Sequence, residues 1–137
     1  MAGKSRYFSD AVLNVLKNTG ITGLANVYVG LFSTAPGADD NTPGTELTGA
    51  GGYARQAITF SAISTDTDTH TRKMSNSAQI TFGPATGADW AQAVAFGVFD
   101  ALTNGNLLYW DNLTTPKTVQ VGDSGSFAIG ALVVKED

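Results

Sequence analysis

Two periods of hydrophobicity divide the chain. Near its start, in SRYFSDAVLNVLKNTG, Phe8, Val12, Val15 and Leu16 recur at the spacing of one helical face. The spacing predicts one short N-terminal α-helix. Ser5 or Ser9 would cap it, Asp10 would sit in its first turn, and Gly20 or Gly23 would end it. A short amphipathic helix is not stable alone in water, so this one has to dock on something.

From residue 25 onward the period changes to two. NVYVGLFST places Val27, Val29 and Leu31 on one face and Tyr28, Gly30 and Phe32 on the other, a strand covered on both sides. A loop dense in Gly, Pro and Asp follows, TAPGADDNTPGTELTGAGG, residues 34–52. Loops of this length are either functional or ordered by a partner. Further strands are expected over Tyr53–Ala62, Ser77–Phe82, Ala91–Phe99, Asn106–Leu113, Lys117–Val121 and Ser126–Val134. Asn104-Gly105 is a type I′ hairpin pair, and Gly122-Asp123 suits a second tight turn. The fold class expected is mainly β, an antiparallel β-sandwich of jelly-roll type with one short N-terminal α-helix. All 137 residues would form one domain, with a helical segment over 1–24 and the sandwich over 25–137.

Composition narrows the class. Only 15% of residues are charged while glycines number 16, which fits many turns and polar, uncharged surfaces and not long salt-bridged helices. The net charge of −4, with the basic residues scattered, argues against nucleic acid as a partner. Without cysteine there is no disulfide, thiolate metal site or cysteine nucleophile. No apolar run approaches the roughly 20 residues of a membrane helix, and the first residues lack a secretory pattern. The expectation is a soluble chain assembled in the host bacterial cytoplasm, with no membrane partner.

Candidate chemistry is sparse. The single histidine, His70, lies in TDTDTHTRKMS and reads as an exposed loop residue, so no Ser-His-Asp or HExxH arrangement can be built on it. Asp66 and Asp68 resemble a fragment of a calcium loop but lack its glycine and terminal glutamate. With Asp39 and Asp40 they read as solvated loop carboxylates. No cofactor is expected, a weak structural calcium being the alternative. Asp89, Asp100 and Asp111 fall at expected strand ends, where forming turns is the ordinary role. Trp90, Trp110, Tyr53 and Tyr109 could stack on a sugar, but such residues more often fill a core or a subunit interface. A phosphate-binding reading of GGYARQAITF, residues 51–60, fails because its glycines precede a strand and neither the lysine nor the helix of a P-loop follows. There Gly51-Gly52 free the backbone to enter a strand, Ile58 and Phe60 face the core, and Arg55 lies on the other face as a solvated charge or an intersubunit contact.

The order of pieces resembles small virion proteins of tailed bacteriophages, the tail-fibre and minor tail proteins, with capsid decoration (cement) subunits as relatives in kind. The resemblance is carried by the N-terminal helix, VYVGLFSTAPGADD, GGYARQAITF, NSAQITFGPATGADWAQAVAFGVFDALTNGNLLYW and LTTPKTVQVGDSGSFAIGALVV. The chain departs from it in a longer polar insert, Thr65–Lys73. It implies a non-enzymatic virion structural protein, expected first as a capsid decoration or cement protein on the outer shell. A tail-fibre or tail-tip component, or a carbohydrate-binding receptor module, is the alternative. The implied partners are the major capsid protein or other virion proteins and further copies of the chain, with a trimer expected. Phe8, Asp39, Asp40, Tyr53, Arg55, Trp90 and Trp110 are the candidate interface residues.

Overall fold

The computed structural model describes residues 3–37, 42–68 and 70–136. Its elements are β1 (Gly3–Lys4), α1 (Arg6–Val15), β2 (Val27–Thr34), β3 (Thr45–Glu46), β4 (Gln56–Ile58) and β5 (Ser64–Thr65). They continue with β6 (Arg72–Ser75), β7 (Ile80–Phe82), β8 (Ala93–Phe99), β9 (Leu107–Lys117), β10 (Gly125–Phe127) and β11 (Val133–Glu136). The fold is mainly β and antiparallel with one helix near the N-terminus, as the alternating pattern predicts.

The largest sheet runs β1-β9-β8-β2-β3, and β4 also pairs with β2, along Val27–Val29. β8 and β9 form a hairpin closed by the Asp100 amide on the Asn106 carbonyl at 3.2 Å. Asn104 and Gly105, both at positive φ (55° and 72°), therefore lie within a longer loop and not in a two-residue type I′ turn. Two smaller sheets, β10-β7 and β11-β6-β5, complete the strands. The main core joins Val29, Leu31, Phe96, Val98 and Leu108 of the large sheet to Ile80, Phe82, Leu132 and Val134. On the opposite face of the large sheet a second, smaller cluster buries Phe32, Ala95 and Phe99. That explains why β2 and β8 are apolar on both faces.

Ser5 fastens the helix. It is fully buried, its hydroxyl accepts from the Phe8 amide at 3.1 Å, and its own amide donates to the Leu108 carbonyl at 2.7 Å. The hydroxyl also donates to the Leu107 carbonyl. With Ser5 as the cap, Asp10 falls in the second turn and not the first. Neither Gly20 nor Gly23 ends the helix. Asn18 takes the left-handed conformation instead (φ 60°), and the amides of Lys17 and Thr19 return to the Asn14 carbonyl. Asparagine is the residue after glycine that best tolerates that conformation.

Strand boundaries also differ from the periodic reading. Tyr53–Ala62 contracts to β4 with an isolated bridge at Phe60, and Ser77–Phe82 contracts to β7. β9 runs on to Lys117, while the expected strand Lys117–Val121 reduces to a single parallel bridge between Val121 and Ala85. Ser126–Val134 divides into β10 and β11, where Gly130 turns the chain at φ 80°. Asn76 holds that turn: its side-chain amide donates to the carbonyls of Ala78 and Ala128 and accepts from the Leu132 amide, each at 2.9 Å. The polar insert Thr65–Lys73 is not a plain loop, because it ends in β6 and packs against β11.

Gly51 and Gly52 lie in a tight turn, both in left-handed conformations at φ 73° and 79°. A Cβ on Gly51 would stand 3.1 Å from the Ala88 carbonyl and from the Trp90 ring. Gly49, by contrast, has φ −64° and no neighbour nearer than 3.8 Å to an added Cβ. Gly51→Ala is therefore expected to lower stability by about 1–3 kcal/mol, and Gly49→Ala to leave it level or raise it by up to about 1 kcal/mol, both read from urea unfolding.

Candidate functional site

The stretch from Tyr53 to Arg55 builds a latch across the edge of the large sheet. β4 pairs with β2 up to Val29 and β3 resumes the pairing at Phe32, so Leu31 faces a gap in the edge. The Tyr53 hydroxyl fills that gap, accepting from the Leu31 amide at 2.8 Å, while the Leu31 carbonyl accepts from the Leu47 amide at 2.9 Å. The same hydroxyl donates to Glu46 Oε1 at 3.0 Å. Arg55 grips both oxygens of Glu46, Nε to Oε1 and Nη2 to Oε2, each at 2.8 Å. Its remaining Nη1 donates to the carbonyls of Ala101 and Asn104 at 2.8 and 2.7 Å, in the turn of the β8–β9 hairpin. The guanidinium lies over the Phe99 ring, 3.5 Å from its centroid. Arg55 is thus occupied on both edges and one face.

Burial fixes the protonation of this group. Desolvation pushes the Tyr53 hydroxyl well above the ordinary tyrosine range, and the neighbouring Glu46 carboxylate adds to the effect. The side chain of Arg55 is only 9% exposed and that of Glu46 24%, so neither charge is fully hydrated without the other.

The remaining sequence candidates also engage their own chain. Trp90 is buried, donates from Nε1 to the Gly51 carbonyl at 2.7 Å and meets the Tyr53 ring edge-on. Trp110 is buried in β9 opposite Gly97 and Gly3. Little of either tryptophan is exposed, although Trp90 borders a cleft between the sheets and Trp110 a groove beside Tyr109. Phe8 packs against Tyr109 with ring centroids 5.5 Å apart. Asp39 and Asp40 lie outside the described residues.

Asp100 accepts from the Asn106 amide inside the hairpin loop, the turn-forming role expected of it, whereas Asp89 accepts from the amide of Val121, far along the chain, and ties two separate segments together. Asp111 does not end a strand but lies within β9, accepting from the Asn112 amide. His70 is exposed, and its backbone amide donates to Asp68. Among the described residues no three His, Cys, Asp or Glu side chains gather where they could hold a metal ion.

Sequence reasoning missed two polar ties. Asp66 joins the insert to the C-terminal strand, its oxygens receiving Lys73 at 2.8 Å and Lys135 at 2.5 Å. Glu136 accepts from both Lys4 and Tyr109, linking β11 to β1 and β9. No local pattern pairs these six residues; only the fold brings them together. Hydrogen bonds from Lys135 and then Lys73 hold Asp66 far below the ordinary carboxylate range, and the Thr71 hydroxyl lowers Asp68.

One cleft opens between the sheets at the far end of β9. It measures about 290 Å³ and is lined by Leu31, Leu47, Phe82, Phe96, Leu113 and Phe127, with Thr114, Thr115 and Lys117 among its polar residues. A void of this size is large for a packed interior and small for a drug-sized ligand.

Comparison with known proteins bears on what these features serve. The family described as Podophage GP4 fiber I protein gp80 matches residues 3–135. The chain belongs to this family. It is accordingly a bacteriophage virion structural protein related to tail fibres. No curated protein matches the chain. The match runs through the latch, the insert and both ends of the large sheet, and the bonds of Tyr53 and Arg55 within this fiber-family chain give GGYARQAITF its part in holding the fold.

Four outcomes are expected from the latch and the ties. Arg55→Met should cost about 3 kcal/mol in urea unfolding, because it strands the Glu46 carboxylate. Tyr53→Phe, which leaves the Leu31 amide unpaired, should cost about 1–3 kcal/mol. Combined with Glu46→Gln, Arg55→Met should lose less than the sum of the two single changes. For pH, the folded values of Asp66 and Asp68 lie below an unfolded value of about 3.9, so their stabilisation is complete above that value and is lost as pH falls through the folded values. The melting temperature should fall on acidification, and Asp66→Asn should flatten that fall.

Proposed function

We propose that this protein is a non-enzymatic subunit of a phage fibre, whose work is to present and join surfaces. The observation that carries the reading is the family match over residues 3–135. The structure is in keeping with it. Arg55, Glu46, Tyr53 and Trp90, the groups that would have suggested chemistry, are spent on holding the fold. The expectation of a cement protein on the outer shell has no such support, and the fibre, its rival, is preferred. Self-association with further copies belongs to the same reading, since fibres are built by repetition.

Locating the protein on the particle tests this. Electron microscopy with a bound antibody should label fibres projecting from the particle and leave the shell faces bare. Particles lacking the protein should adsorb more slowly to host cells while retaining DNA normally after heating or osmotic shock. Label spread over the shell, with DNA lost on heating and adsorption unchanged, would replace the fibre with the cement reading.

A further inference from the structure

The helix was expected to bury its apolar side, yet no residue of α1 is buried. Phe8, Ala11 and Asn14 are half-buried on the side toward β9, and the opposite side is open. Of the eleven large apolar residues left exposed in the described chain, seven fall within residues 7–24. Leu13 and Leu16 are the most open of them, at 60% and 83%. Apolar surface gathered in this way marks an interaction site.

The charges on the open side give that site a direction. Asp10 and Lys17 are both exposed and stand seven positions apart, two helical turns, with Leu13 between them. The turn after Val15 stays on the helical path: Leu16 has φ −67° and ψ −16°, and the Lys17 amide donates to the Asn14 carbonyl at 2.9 Å. Asp10, Leu13, Leu16 and Lys17 therefore share one face. Neither Asp10 nor Lys17 makes an ion pair among the described residues. Where two helices pack on a seam such as Leu13 and Leu16, the charges flanking the seam choose their orientation. Laid parallel, the helices would set Asp10 and Lys17 beside Ser5 and Val12 and match no charges. Laid antiparallel, they bring Asp10 of each copy to Lys17 of the other, so opposite charges meet twice. The face is complementary to itself.

We propose that α1 packs antiparallel on α1 of a second copy, about a two-fold axis. Leu13 of each copy lies against Leu16 of the other, with Val12 beside the seam, and two pairs of Asp10 with Lys17 close its flank. The contact uses the same patch on both copies, so it saturates at two chains, and any longer assembly has to join through other faces. The inference rests on the self-association in the fibre reading and gives it a specific contact. It is measured on the isolated chain, so its outcome and the protein's location on the particle are decided separately.

Sedimentation equilibrium on the purified chain tests this. The unmodified chain should pass from monomer to dimer with rising concentration. Leu13→Glu/Leu16→Glu should weaken dimerisation by at least about a hundredfold. Asp10→Lys alone, and Lys17→Glu alone, should each weaken it by about tenfold, since both pairs become repulsive. An equal mixture of those two variants should dimerise about as tightly as the unmodified chain, because each mixed dimer restores both pairs. Lys117→Glu, the same charge change at the end of β9, should neither weaken dimerisation nor rescue Asp10→Lys. All the changed side chains are exposed, and circular dichroism and melting check that each variant folds. A chain that stays monomeric, or that dimerises equally well after Leu13→Glu/Leu16→Glu, overturns the proposal. So does a single charge reversal at Asp10 or Lys17 that leaves dimerisation unchanged, or a mixture that does not recover it.

Discussion

Between β4 and β3 the edge of β2 leaves the amide and carbonyl of Leu31 without a strand beside them, and much of the structure follows from how that gap is closed. A buried amide without a partner costs about as much as several favourable contacts return. Here a phenol substitutes for the missing strand, but the phenol must reach the backbone from within the core. That requires Tyr53 to enter from the tight glycine turn and Gly30 to have no side chain, since a Cβ there would lie 2.6 Å from Glu46 Oε1 and 3.0 Å from the Tyr53 hydroxyl. Glu46 then orients the phenol, and Arg55 neutralises Glu46 while gripping the distant hairpin. A local deficit in one sheet edge is thereby converted into a tie between three parts of the chain.

Much of the scaffold was legible in the sequence, for identifiable reasons. β2 and β8 announce themselves because both of their faces are covered, which leaves long apolar runs. Asn104-Gly105 and Ser5 carry local signals, since the geometry of a turn or a cap depends only on residues nearby. β5 and β6 escaped because Ser64, Thr65, Arg72 and Lys73 are polar, and their pairing depends on β11, far along the chain. The latch escaped for a related reason. Arg55 reads in sequence as a solvated charge or an intersubunit contact, and it is neither, being covered by Glu46 and Phe99 of its own chain. A charge off the main core looks the same in sequence whether water or a carboxylate receives it. What distinguishes the two is the loop that brings Glu46 back against β2, and that loop has no periodicity to read.

Kinship with fibre proteins gives the pattern of polar groups a context. The chain has few charges, and several are paired, Glu46 with Arg55 and Asp66 with Lys73 close in sequence, Asp66 with Lys135 and Lys4 with Glu136 far apart. Of these, the pair of Lys4 with Glu136 joins strands of two different sheets. Much of the rest of the surface is threonine, serine, asparagine and glycine, which hydrogen-bond to water or to a neighbour with little charge repulsion between like copies. Crowding many identical subunits together is easier with such a surface than with a strongly charged one.

The pair between Lys4 and Glu136 has a mechanical consequence. It sets β1 and β11 side by side, so the chain enters and leaves the described fold at the same place. Tension applied between those two points would peel short edge strands away one hydrogen bond at a time, the direction in which a sheet yields most easily. Tension passing through the faces of the molecule would instead be shared among the many bonds joining β2, β8 and β9. A subunit with this layout resists load best when its neighbours hold its flanks and its two ends are left slack.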